Sequence, residues 1–197
     1  MFDLVGLGEL CRKAAGVDVT LAADSELLAA ALGLERARSL ADAAAAHVLA
    51  ELEARGVCDR DFGHTTATWL SNSTNTARNT CRARVRDARR LVLWFDEFDT
   101  ALSEGLLTQD HVGLLCRVAN IRNREALADA QAQLIVLAAE FSFEQWAMLV
   151  RQLAAELDAD GGYDPNDDIH ANRLRLAANG DHTIEVGGRL VGEARTT

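Results

Sequence analysis

Thr76 to Phe95 reads TARNTCRARVRDARRLVLWF, and the spacing within it decides the fold class. Ala77, Cys81, Val85, Ala88, Val92 and Phe95 recur every three or four residues. That is the period of an α-helix with one face in a core. At about 100° per residue, Arg78, Arg82, Arg86 and Arg89 share a flank away from that face. Arg84 falls on the apolar side, where it must snorkel along the helix or meet a carboxylate. The stretch carries six arginines against one acid, Asp87, inside a chain of net charge −10. A basic stripe concentrated on an acidic body points to a polyanion-facing surface.

Helical signals continue on both sides. Upstream, Asp24 reads as the N-cap of a helix through Leu27, Leu28, Ala31 and Leu32, which Gly33 interrupts. A longer helix from about Glu35 to Arg55 places Leu40, Ala44, His47, Val48 and Leu52 on one side, and Gly56 ends it. Thr65 to Ser71 is a short helix holding Trp69 and Leu70, and Asn72 to Asn75 is turn chemistry. Downstream, Phe98 and Leu102 continue the pattern to Gly105, and Thr108 caps a helix through Val118. A further helix spans about Arg124 to Ala139. Ser142 and Gln145 have capping-box spacing, with Phe141 and Trp146 at staple spacing, so a helix should start there and run to about Leu157.

The character then changes. Glu156, Asp158, Asp160, Asp164, Asp167 and Asp168 read as an acidic loop with Gly161, Gly162 and Pro165. Leu174 and Leu176 alternate with Arg173 and Arg175 before an Asn179-Gly180 turn, and Thr183 to Val186 returns. Gly187-Gly188 reads as a second turn, with Arg189 to Glu193 starting another strand. The expected fold is therefore mainly α: a multi-helix domain with helix–turn–helix-like hairpins and a small C-terminal β-hairpin. Its expected boundaries are a helical domain over 1–157, an acidic loop over 158–171 and the hairpin over 172–197.

Cys11, Cys58, Cys81 and Cys116 form no Cys-x-x-Cys pair and no finger with His, which implies reduced thiols. Asp3 and Glu9 argue against a signal peptide, and no run reaches the ~18 apolar residues of a membrane span. The expected location is cytoplasmic, with no membrane partner. Nineteen of the 20 basic residues are Arg, a bias that G+C-rich coding also produces.

Several stretches together resemble a known family. They are Glu51-Leu52-Glu53-Ala54-Arg55-Gly56, Ala67-Thr68-Trp69-Leu70-Ser71, Ala101-Leu102-Ser103-Glu104-Gly105-Leu106-Leu107-Thr108, Leu157-Asp158-Ala159-Asp160-Gly161, Asn172-Arg173-Leu174-Arg175-Leu176 and Gly188-Arg189-Leu190. In this order and spacing the chain resembles domain of unknown function 222 of the actinobacterial 13E12 repeat proteins, from about Asp24 onward. The resemblance implies a helical region that precedes an HNH endonuclease domain. On that reading this chain corresponds to the N-terminal portion, and its partner is a missing C-terminal HNH domain. No nuclease motif matches here, so no catalytic residue is carried over.

The sharpest site hypothesis is a DNA-binding helix–turn–helix, with Thr65–Ser71 as first helix and Thr76–Phe95 as recognition helix. Its candidate contacts are Asn75, Thr76, Arg78, Asn79, Arg82, Arg86, Arg89 and Arg90. Those near the helix start could reach base edges or phosphates. The competing reading is a solvated arginine face on an interaction or self-association module with no nucleic-acid role. No metal or cofactor is expected. His170, Asn179 and His182 follow HNH letter order, but their spacing is too tight for a strand–turn–helix metal frame. Asp158, Asp160 and Asp164 fail the calcium-loop order at Tyr163. Gly6-x-Gly8 lacks its third glycine, Cys11 standing there. Trp69, Trp94 and Trp146 read as core anchors, and His47 and His111 as helix-packing residues.

Overall fold

A computed structural model describes residues 3–159, 173–178 and 184–189. Within them the chain is mainly helical. The helices are α1 (Leu4–Ala15), α2 (Asp24–Ala54), α3 (Val57–Phe62), α4 (Thr66–Thr74), α5 (Arg78–Trp94), α6 (Asp96–Ser103), α7 (Gln109–Val118), α8 (Arg124–Asp129), α9 (Gln131–Glu140) and α10 (Phe143–Ala159). β1 (Arg173–Ala178) and β2 (Ile184–Arg189) pair antiparallel, with Arg173 opposite Arg189 and Ala178 opposite Ile184. The Asn179-Gly180 turn and Leu190 to Glu193 lie outside the described residues. Gly187 and Gly188 are within β2, opposite Arg175 and Leu174, so the turn expected there is corrected to strand.

The centre of the body is α5. It packs on the second half of α2, on α4, on α7 and on α6, while α10 packs on α7 and α9. Phe95, Phe98, Leu91, Leu102, Leu115 and Trp146 are fully buried among these helices. Trp146 donates its indole N–H to the Leu134 carbonyl at 2.9 Å. The Ser142 and Gln145 side chains exchange hydrogen bonds with each other's backbone N–H at 3.1 and 3.4 Å, which is the expected capping box. The staple differs: Phe141 is left exposed, and the Trp146 ring meets Phe98, His111 and Phe143.

Four helix expectations need correction. α2 is one helix, because Gly33 costs only ~1 kcal/mol and its Ala, Leu and Glu neighbours are strong helix formers. Ala23 is its N-cap, and the Glu26 carboxylate accepts from the Ala23 N–H at 2.9 Å. The buried face of α2 is also not the one expected. Ser39, Ala43, Ala46, Leu49 and Ala50 are buried, whereas Leu40 is 42% and Val48 39% exposed. The span 124–139 is broken at Ala130 into α8 and α9.

The buried polar side chains that link these helices all have partners among the described residues. Gln131 accepts from the Phe98 N–H and donates to Asp96 and to the Ala128 carbonyl. Asp158, expected in an acidic loop, belongs to α10, where its carboxylate accepts from the side-chain amides of Asn120 and Asn123.

Candidate nucleic-acid interface

α4 and α5 are joined by three residues, Asn75, Thr76 and Ala77. The turn is shorter than expected because α4 continues to Thr74. There the Thr74 hydroxyl donates back to the Leu70 carbonyl at 2.8 Å. Asn75 then takes the left-handed conformation, φ 53°, which Asn tolerates better than most residues. Ser71 Oγ donates to the Thr76 carbonyl at 2.7 Å, tying the end of α4 to the turn. α4 packs directly on α5. Two packed helices with a short turn are the frame of a helix–turn–helix.

Along α5 the buried stripe is Cys81, Val85, Ala88 and Leu91, continued by Phe95. Ala77 and Val92, expected inside, are exposed. Ala77 is the N-cap, outside the helix proper, and Leu91 takes the place in the core that the period assigned to Val92.

The eight candidate contacts divide into two groups. Asn75, Arg78, Asn79, Arg82 and Arg89 are exposed. Arg84, which the period placed against the core, is exposed too. Among the described residues none of Arg78, Arg82, Arg84 and Arg89 forms an ion pair with a carboxylate. Arg78, Arg82 and Arg89 lie within about 40° of one line along the helix. The first turn of α5 holds no acid and its N-cap offers no side-chain acceptor, whereas α6 opens on Asp96, Glu97 and Asp99. A helix N-terminus with free N–H groups and a positive side chain favours an anion.

Thr76, Arg86 and Arg90 are half-buried and each is engaged by groups of the protein itself. Thr76 is half-buried and its hydroxyl bonds to that of Thr74 at 2.8 Å. Arg86 places Nη2 and Nε 2.6 and 2.8 Å from Oδ1 of Asp87. Asp87 is only 5% exposed, with its other oxygen facing Gly113 of α7. Burial raises the Asp87 pKa above the usual carboxylate range, against the pull of Arg86, Arg117 and Arg90. Arg90 donates to the carbonyls of Cys116 and, at 2.9 Å, Ala119, the otherwise open end of α7. Its guanidinium also lies 5.1 Å from the centre of the Trp94 ring, with Arg124 at 5.6 Å.

A cleft of about 680 Å³ adjoins Arg89 and is lined by His47, Glu51, Glu53, Val92 and Asp99 among others. His47, expected to pack between helices, is 45% exposed and its Nε2 lies 2.7 Å from Asp99. No spacing rule reveals that pair, because its residues are 52 positions apart. Trp94 is half-buried between guanidiniums, and Trp69 stacks on Phe62 at 6.0 Å, so only Trp146 is a fully buried anchor. His111 does pack as expected, edge-on to Phe143 and Trp146. Among the described residues no group of three or more His, Cys, Asp or Glu is placed to hold a metal ion, and no helix is long and apolar enough to cross a membrane. His170, Asn179 and His182 lie outside the described residues.

Comparison with curated proteins finds no match, and comparison with solved structures finds none. The family described as a domain of unknown function (DUF222) matches residues 28–197, spanning α2 to the end of the chain, and the protein belongs to that family.

Proposed function

We propose that this chain is a non-catalytic DNA-binding accessory domain of an HNH-endonuclease-like protein, engaging the phosphate backbone through the α4–α5 turn and the exposed arginine flank of α5. The observation that carries the reading is the exposed line of Arg78, Arg82 and Arg89, which no described carboxylate neutralises, beside an acid-free helix start. In a chain of net charge −10, an exposed arginine flank without carboxylate partners makes a local positive surface that an anion can cover. The proposed contacts are Asn75, Arg78, Asn79, Arg82 and Arg89; Arg84 lies about 140° around the helix from that line.

Fluorescence anisotropy with duplex DNA at low salt tests this. Binding is expected, and replacing Arg78, Arg82 and Arg89 together by Glu should abolish it while circular dichroism stays unchanged. No binding by the unmodified chain at low salt would sink the reading. With Mg²⁺, Mn²⁺ or Zn²⁺ the chain should leave plasmid DNA intact. Metal-dependent nicking that disappears in a His182→Ala variant would overturn its non-catalytic part.

A further inference from the structure

The exposed flank of α5 is one side of a wider basic surface. Arg82, Arg86, Arg90 and Trp94 follow one another at intervals of four residues. Each such step advances about 40° around an α-helix. The row therefore leaves the flank at Arg82 and winds toward α7 and α8. Arg82 is exposed, and the next three are half-buried. The far end of the row is built into both neighbouring helices. Arg90 reaches the Cys116 and Ala119 carbonyls at the end of α7, and the Trp94 ring carries the guanidiniums of Arg90 and, from α8, Arg124.

On this side Arg117 and Arg124 have no hydrogen-bonded carboxylate among the described residues. Arg117, in the last turn of α7, is exposed and forms no ion pair there. It stands close enough to Asp87 to favour the charged carboxylate. That carboxylate is 5% exposed and already receives the Arg86 guanidinium. Arg124 has Glu125 at 3.7 Å, which is longer than a hydrogen bond. The Asp158 carboxylate is occupied by the side-chain amides of Asn120 and Asn123. Stacking on Trp94 holds the Arg124 guanidinium in place, so little side-chain freedom remains to be lost on binding.

Around α5 the centre of the flank and Trp94 are about 140° apart, with Arg86 and Asn79 between them. A helix in a major groove has base edges beneath it and one DNA strand on either side. We propose that Arg117 and Arg124 take phosphates of the second strand while the flank takes the first. This rests on the DNA reading of α5 and adds the opposite wall of the groove to it. Trp94 is a positioning residue that acts through Arg124. The second contact comes from α7 and α8, so it depends on how those helices pack on α5 as well as on the sequence of α5.

Anisotropy titrations of the full chain with a duplex, and with one of its strands alone, test this. Replacing Arg117 and Arg124 together by Ala should weaken duplex binding roughly tenfold and flatten its salt slope by about 1.8, two phosphate contacts beyond the three of the flank. Binding of the single strand, which has no opposite wall, should change less than about threefold. Trp94→Ala should weaken duplex binding as much as Arg124→Ala, with no further loss when the two are combined, and Trp94→Phe should keep the affinity. Circular dichroism of each variant verifies that helix content is kept. Duplex binding that needs Arg78, Arg82 and Arg89 but is indifferent to Arg117 and Arg124 overturns this proposal and leaves the flank standing. An equal loss on duplex and single strand overturns the assignment to the second strand. A Trp94→Ala variant that binds like the unmodified chain removes the positioning role. No binding by the unmodified chain sinks the DNA reading and this proposal with it.

Discussion

Arg89 and Arg90 are neighbours in the chain with opposite situations. Arg89 is exposed beside the cleft, while Arg90 closes the carbonyl end of α7. Arg90→Ala should cost about 2 kcal/mol in chemical denaturation, because charged donors to two carbonyls are lost. Arg89→Ala should change stability by less than about 0.5 kcal/mol yet weaken DNA binding. Sequence alone could not separate them, since the carbonyls of Cys116 and Ala119 leave no mark in the period of α5. The Arg86–Asp87 pair was hidden for a different reason: adjacent residues on a helix do not normally face each other. His111 offers a pH test. Burial holds its pKa below the usual 6.5, against Asp110, so the folded state resists its protonation. The stability this gives is complete above pH 6.5 and is lost as pH falls through the lowered folded value. Stability should therefore decline on acidification below 6.5, with a change in Trp146 emission, and a His111→Gln variant should flatten both. Asp87 has the reverse sign: its raised pKa favours the fold only at acid pH, and that contribution is lost as pH rises through the folded value.

At the scale of elements, what was legible depended on how local the signal is. The Ser142–Gln145 box spans four residues and was readable directly. Ser142→Ala should cost on the order of 1 kcal/mol, because the Gln145 N–H loses its acceptor. A midpoint unchanged at equal denaturant slope would show that this bond contributes nothing. The face of α2 was not readable. Its larger apolar residues, Leu40 and Val48, point outward, and the buried stripe is mostly alanine with Ser39. Small side chains let α5 approach closely, but hydrophobic periodicity weights the larger ones. The mainly helical class and the α4–α5 pair followed from spacing. The helix start and turn length did not, because the Thr74 back-bond and the left-handed Asn75 are backbone choices.

For the whole molecule, the net charge of −10 and the arginine stripe compete over distance. Three neutralised phosphates predict log K falling with log salt at a slope of about −2.7. Arg89→Ala should reduce that slope by about one. A slope near zero would place the binding energy elsewhere. α2 itself spans two mechanical regimes, anchored from Ser39 onward and without a buried residue before it. An isolated helical stretch of that length is marginal in water. Its backbone amides should therefore exchange with deuterium quickly between Leu27 and Arg38 and slowly from Ala43 to Ala50 in dilute solution. One unbroken helix would then carry, in its own amide protons, a built-in comparison between a stretch that opens locally and a stretch that opens only with the whole fold.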